Sequence, residues 1–362
     1  MALAGGLAVC AAQAANSKPA LTIKMSALKV MLTVTVRDKK GALVTGLKAT
    51  ELTLAEDGRP QTIQSLTPIL SVAGLPFRLG LLVDTGRGLS GAVESERKAA
   101  GKFVDQMLPE KPGSAPDQAF LIHFDNEVEL LEDFTASRDK LHRELDEMGP
   151  SHRAQEDARG PESSSDDHEH SHGGRGGTQL YDAIFLASDE LMKTQEGHKV
   201  LIVFSDGADR DSKMSLSDAV DAAEKANVAV YAIYMKPEQE RGGGIPGLGG
   251  GHHGGGYPGG GGGYPGGGRP GGGKEPAIDG KKILEKIATR TGGRCFEAKK
   301  KDNLEEIYGQ IAEELRGQYQ LTYTPDLVDK DGGFHKIALK ANKDDLSVVT
   351  REGYFAPGGE TK

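Results

Sequence analysis

Leu81-Leu82-Val83-Asp84-Thr85-Gly86-Arg87-Gly88 is the stretch on which the fold turns. An unbroken apolar run with a carboxylate directly behind it reads as a strand buried on both faces, 79–83, that ends in a charge. In open α/β sheets the carboxyl ends of the strands line the crevice where ligands bind, so Asp84 marks that edge.

The same grammar repeats outward from this point. Apolar strands are expected at 119–124, 200–204 and 228–234. Amphipathic helices are expected near 93–108, 138–148, 180–193, 216–226, 280–291 and 303–316. Strands separated by helices require parallel crossovers, hence a doubly wound, Rossmann-like, mostly parallel sheet over 77–316. The run 127–134 follows its predecessor after only Asp125-Asn126 and is expected to be an antiparallel edge strand.

On either side of this block the pattern changes to alternation. Val30-Met31-Leu32-Thr33-Val34-Thr35-Val36 and Glu51-Leu52-Thr53-Leu54 are separated by turn signals at Lys39-Lys40-Gly41, with another at Asp57-Gly58. Further strands are expected at 319–323, 335–341 and 347–354. Each β segment, 20–70 and 317–357, offers about three strands, which is marginal in water. The two are therefore expected to pair into one small β-sandwich, with the α/β domain inserted between them.

Two tracts interrupt the α/β block. Residues 151–177 are polar and carry Asp166-Asp167-His168-Glu169-His170-Ser171-His172, and residues 242–273 are almost pure glycine with Pro, Tyr and a His252-His253 pair. Neither holds enough apolar surface to offset its ordering entropy, so both are expected to be disordered. Because one runs into Thr178 and the other leaves a parallel strand, both are expected to emerge at the carboxyl edge. In an extended chain His168, His170 and His172 point to one side, and imidazoles suit Zn2+, Ni2+ or Cu2+.

The first fifteen residues are uncharged apart from the terminus and end in Ala12-Gln13-Ala14, an A-x-A cleavage pattern. They read as a signal peptide, which implies a secreted or periplasmic protein. The basic segment that normally opens such a leader is missing, which points to a start upstream of Met1. Cleavage after Ala14 would leave Cys295 as the one thiol, so no internal disulfide is expected. Cys295 itself reads as a small buried hydrophobe on a final strand. With a net charge of -9 and no basic stripe, a nucleic-acid partner is disfavoured. No later stretch is apolar enough to be a transmembrane helix.

Two further oxygen ligands fall where the crevice of Asp84 is expected. Thr178 stands just before a helix, after Gly176-Gly177. Asp206, in Phe204-Ser205-Asp206-Gly207, ends another buried strand. In these residues the chain resembles the von Willebrand factor type A (VWA) domain, whose metal-ion-dependent adhesion site combines Asp-x-Ser-x-Ser with a distant Thr and a distant Asp. More narrowly it resembles the bacterial VWFA-related acidobacterial domain family. The phrases that carry this are Val34-Thr35-Val36-Arg37-Asp38-Lys39-Lys40-Gly41, Glu56-Asp57-Gly58-Arg59-Pro60-Gln61-Thr62-Ile63, Thr178-Gln179-Leu180-Tyr181-Asp182-Ala183 and Arg351-Glu352-Gly353-Tyr354. The resemblance implies a non-enzymatic protein that recognises a protein or glycan at the cell envelope. It also implies Mg2+ or Mn2+ held by Asp84, Thr178 and Asp206.

The departure is equally specific. Gly86 and Gly88 stand where that pattern has its two serines. A hard cation such as Mg2+ demands near-octahedral oxygen coordination, and here two hydroxyls are gone. The site is expected to be degenerate and its ion weakly held. Ser90 carries the next hydroxyl and reads as a cap on the following helix.

Two readings from other classes use the same residues or the inserts. Gly86-Arg87-Gly88-Leu89-Ser90-Gly91 is a formal G-x-G-x-x-G, the mark of a dinucleotide-binding oxidoreductase. But the acidic residue required about twenty positions on must end the second strand, and the first candidate there, Asp125, falls well beyond that. The His-rich tract would instead make the chain a metal-sequestering protein.

Overall fold

The computed structural model describes residues 28–72, 75–110, 115–149, 177–237, 279–299, 303–326 and 332–357. The leader expected at 1–15, the glycine tract and His168, His170 and His172 lie outside the described residues.

The chain opens with β1 (Val30–Asp38), β2 (Leu52–Glu56), β3 (Arg59–Gln61) and β4 (Ile63–Pro68). In β1 the residues Val30, Leu32, Val34 and Val36 are all buried, as the period-2 pattern requires. The α/β block then runs β5 (Phe77–Asp84), α1 (Val93–Met107), β6 (Gln118–Phe124), β7 (Val128–Thr135), α2 (Arg138–Glu147) and α3 (Leu180–Phe185). It continues with β8 (His198–Ser205), α4 (Leu216–Lys225), β9 (Ala229–Met235), α5 (Gly280–Thr291), β10 (Cys295–Ala298) and α6 (Leu304–Arg316). The chain closes with β11 (Tyr319–Tyr323), β12 (Phe334–Ala341), β13 (Leu346–Val349) and β14 (Gly353–Phe355).

The central sheet has the order β10-β9-β8-β5-β6-β7. Its pairs are parallel except β6 with β7, the expected antiparallel edge. Alternation in β5 assigns its two faces. Leu79, Leu81 and Val83 pack into one apolar layer with Phe103, Val104, Ile307 and Ile311 of α1 and α6. Leu82 packs into the other with Ile184, Val220 and Ile287 of α3, α4 and α5. Position 80 shares that second face by alternation, and it is glycine because a Cβ there would stand 2.3 Å from the Phe120 ring. After β5 the chain turns to β6 on one side and later returns to β8 on the other, so the strand order reverses beside β5. That is the topological switch point of an open α/β sheet.

Two four-stranded sheets, β13-β1-β11-β4 and β14-β12-β2-β3, face each other at the other end of the molecule. Each mixes N-terminal and C-terminal strands: β1 pairs with β11 and β13, and β2 with β12. Leu32, Val34, Leu54, Leu321 and Tyr323 form the core between them. Neither terminal segment could close such a core by itself, so the expected pairing into one sandwich holds.

Three local expectations are corrected. The helix expected over 180–193 widens into a π-helix at Leu186–Met192. Ala187 and Met192, both fully buried, are five positions apart, the spacing at which a π-turn carries both inward. The single strand expected over 347–354 is two. β13 belongs to one sheet of the sandwich and β14 to the other, and 350–352 carry the chain across. The crossing is braced where the Glu352 amide donates to the Arg290 carbonyl at the end of α5. Finally, Ser90 does not cap a helix: its hydroxyl donates to the Arg87 carbonyl, 3.0 Å away, and α1 starts at Val93 without a side-chain cap.

Candidate functional site

Asp84 is the last residue of β5 and is buried. Its Oδ2 accepts from the Ser205 hydroxyl at 2.8 Å and its Oδ1 from the Gly86 amide at 2.9 Å. Ser205 is the last residue of β8, and its Oγ in turn accepts from the Gly207 amide. Asp206 follows, half-buried, with Oδ1 taking the Ala208 amide at 2.9 Å. The loop is pinned behind it: Gly207 has φ +72, and a Cβ there would stand 2.1 Å from the Gly280 carbonyl at the start of α5. Glycine is therefore required by conformation and by contact.

Thr178 reaches the same place from a third direction. A Cβ built on Gly86 would lie 2.9 Å from Asp84 Oδ1 and 3.5 Å from Thr178 Oγ1, and one built on Gly88 would lie 3.5 Å from Asp206 Oδ2. The three sequence-derived ligands thus surround the two glycines. Thr178 is held by its carbonyl, which accepts from the Arg210 amide at 3.0 Å, and by the Gln179 amide, which donates to the Asp125 carbonyl.

Neighbouring carboxylates brace these loops. Asp209 accepts from the Tyr181 amide and the Ser212 hydroxyl, and Asp182 accepts from the amides of Lys213 and Met214. Asp125, buried behind β6, accepts from Thr85 Oγ1 at 3.4 Å. Sequence reading passed over Ser205, Asp125 and Asp209. The usable signal was a polar residue directly after each buried strand, at Ser205 and Asp125.

The electrostatics follow from this crowding. Burial first, and then the charge of Asp206, push the Asp84 carboxyl up to about 7. Burial likewise raises Asp206, against the pull of the Ala208 amide and Arg210. Two carboxyls facing each other without a cation favour either a shared proton or a bound dication. As a cation site the donor set is incomplete. The positions of two hydroxyl ligands are glycines. Tight octahedral binding does not fit these residues, and no chemical step is assigned to an ion here. The dinucleotide reading also meets an obstacle, because the Gly86 amide, which a pyrophosphate would need, is taken by Asp84.

Residues 167–242 match the family model of the von Willebrand factor type A domain. The chain carries a VWA domain. The matched segment holds Thr178 and Asp206, and the switch-point geometry adds Asp84 from β5. No curated protein matches the chain. Similar solved structures include a von Willebrand factor type A protein from Catenulispora acidiphila, at 9% identity and TM-score 0.44, covering 93% of this chain and 76% of that one. Proximal thread matrix protein 1 from the mussel byssus, with a zinc-occupied MIDAS motif, is similar at 15% identity and TM-score 0.45, covering 70% of this chain and 50% of that one. An aerotolerance-related membrane protein from Bacteroides fragilis is similar at 14% identity and TM-score 0.41, covering 66% and 98%. The chain spans about half the length of the mussel protein it matches. The assignment of the VWA domain rests on the family match and on the sheet order.

The approaches to the site are visible at their described ends. Gly177 leads directly into Thr178, and Pro237 packs against Gly88, 3.2 Å from where its Cβ would stand. One described flank of each insert, Thr178 after the first and Pro237 before the second, therefore borders the VWA site. Cys295 is half-buried on β10, and burial pushes its thiol up to about 11, which suits a packing role. No helix among the described residues is long and apolar enough to cross a membrane.

Proposed function

We propose that this is an exported, non-enzymatic VWA protein that binds a protein or glycan ligand at the cell envelope through a degenerate metal-ion-dependent adhesion site. The observation that carries this reading is the convergence of Asp84, Thr178 and Asp206 around Gly86 and Gly88 at the switch point of the sheet. A site of that form offers carboxylates and loop backbone to a partner, and holds Mg2+ or Mn2+ only weakly because two hydroxyl ligands are missing. The non-enzymatic reading is supported by where the polar groups go. The side chains at the edge brace loops, and no nucleophile is paired with a base in the G-x-G-x-x-G turn. Export is supported by the leader pattern ending at Ala14.

The test is capture from envelope extract with the wild-type chain and with Asp206→Lys, each with and without Mg2+. Wild type should retain a ligand to a similar extent in both conditions, and Asp206→Lys should lose it while melting normally. Retention that vanishes when Mg2+ is chelated would contradict the degenerate site. Equal capture by Asp206→Lys would contradict the location.

A further inference from the structure

The pairing of the terminal β segments creates a second cluster of ligand-type side chains, at the sandwich and away from the VWA site. Asp57 and Gly58 form the turn between β2 and β3, at φ 48 and 78. The turn directs Asp57 back to β12, where its Oδ1 accepts from the Lys336 amide at 2.8 Å. Its Oδ2 lies 2.8 Å from His335 Nδ1, and Glu56 Oε1 lies 3.7 Å from the same nitrogen. One ligand atom from each of Glu56, Asp57 and His335 falls within 4.8 Å of the others.

The surroundings hold these groups in place. The Glu56 carboxylate is buried and accepts from the Tyr323 hydroxyl at 2.5 Å and the Tyr354 hydroxyl at 3.2 Å. The His335 ring stacks on Tyr354, with centroids 5.4 Å apart and an interplanar angle of 28°. Metal sites are recognised by such outer hydrogen bonds to the ligating carboxylates as much as by the ligands themselves. Asp57 is exposed, so the cluster opens to solvent on one side.

We propose that Glu56, Asp57 and His335 form a binding site for a borderline divalent transition cation, represented by Zn2+. One imidazole nitrogen and two carboxylates, with water in a remaining position, match a three-ligand tetrahedral zinc site. The imidazole and the low oxygen count select against Mg2+ and Ca2+. The ligand form is neutral His335 with its ring proton on Nε2, so that the Nδ1 lone pair and the Glu56 and Asp57 carboxylates all face the ion. The ion joins residues 278 positions apart, one from the N-terminal and one from the C-terminal segment of the sandwich. Because the unfolded chain cannot assemble the three ligands, bound ion stabilises the folded sandwich.

The experiment is calorimetric titration of the full chain with ZnCl2. Wild type is compared with Asp57→Asn, with His335→Gln, and with a variant in which His168, His170 and His172 are all alanine. Asn tolerates the left-handed backbone at position 57, so Asp57→Asn preserves the turn. The expected result is one equivalent of Zn2+ that persists in the triple-alanine variant. That equivalent should weaken by about 10-fold or more in Asp57→Asn and His335→Gln. Zn2+ binding of wild-type strength in both of those variants would overturn the proposal. So would complete loss of binding in the triple-alanine variant.

Discussion

Glu314 near the end of α6 and Asp84 at the end of β5 are both 2% exposed, and the protein treats the two carboxyls in opposite ways. Glu314 accepts from Arg37, from Arg294 at 3.5 Å, from Thr35 Oγ1 at 3.5 Å and from the Tyr231 hydroxyl at 3.1 Å. Beside it Gln318 donates through Nε2 to Thr35 and Tyr231, and its Oε1 accepts from His198 Nε2 at 3.0 Å. Asp84 receives a serine hydroxyl and one amide, with Asp206 as the charge that acts on it most strongly. A buried charge with built-in cations is a clamp, here between the sandwich and the VWA domain. A buried charge without one is held in reserve for a proton, an ion or a partner.

The largest expected effect lies at the clamp. Glu314→Ala leaves Arg37 without its carboxylate and should destabilise the fold by about 3 kcal/mol or more, read by denaturant unfolding. A loss below about 1 kcal/mol would mean that the sandwich and the VWA domain are not tied through this residue.

A pH-dependent effect comes next, at a buried carboxyl held by a phenol and not by an arginine. Glu96, in the first turn of α1, is fully buried and accepts from Tyr308. Burial pushes its carboxyl from 4.5 up to about 8, against the Tyr308 hydroxyl. An acid whose folded pKa is raised keeps its proton longer in the folded state. Its contribution is full at low pH and is lost as pH rises towards about 8. His198 has the opposite sign: burial lowers it from 6.5 to about 4, so its contribution is lost as pH falls through that range, below this window from its lower edge down. Stability should therefore fall by about 1–2 kcal/mol between pH 6.5 and 8.5. Glu96→Gln should be nearly neutral below about pH 4.5, should be more stable than wild type from pH 6.5 upward, and should flatten the slope. An unchanged slope in the variant would remove Glu96 as its source.

Smaller still is the response of the site. Asp206→Asn removes the charge facing Asp84 and should raise stability at pH 8 by about 0.5–1 kcal/mol, with little change at pH 5. Destabilisation at both values would show that Asp206 is mainly a loop brace through the Ala208 amide.

The difference between the two ends also explains what could be read from sequence. The ends of α5 and β11 fell where the apolar pattern placed them, because periodicity reports which face is buried. Asp84, Thr178 and Asp206 were legible because each carries its own local mark: a buried strand stopping at a carboxylate, or a hydroxyl before a helix. The Glu314 network and the cluster of Glu56, Asp57 and His335 were not. Their partners lie 277 and 278 positions apart, and only the strand pairing of the sandwich brings them together. The short strands β3 and β4 were missed for a similar reason. They are partly exposed, and their place is set by partners in β2 and β11.

The glycines at the site allow a direct test of the degenerate-site reading. Serine at 88 would meet Pro237 at 3.2 Å, and serine at 86 would stand 2.9 Å from Asp84 Oδ1, so the carboxylate must shift to admit it. The double change should cost about 1–2 kcal/mol of stability in the absence of metal. The decisive measurement is calorimetric titration of Mg2+ and Mn2+ into the wild-type chain and into Gly86→Ser/Gly88→Ser at neutral pH. The account predicts weak binding by wild type and a gain of about 10-fold or more, or about 1.4 kcal/mol, in the variant. Tight binding by wild type, or no gain on restoring the two hydroxyls, would contradict it.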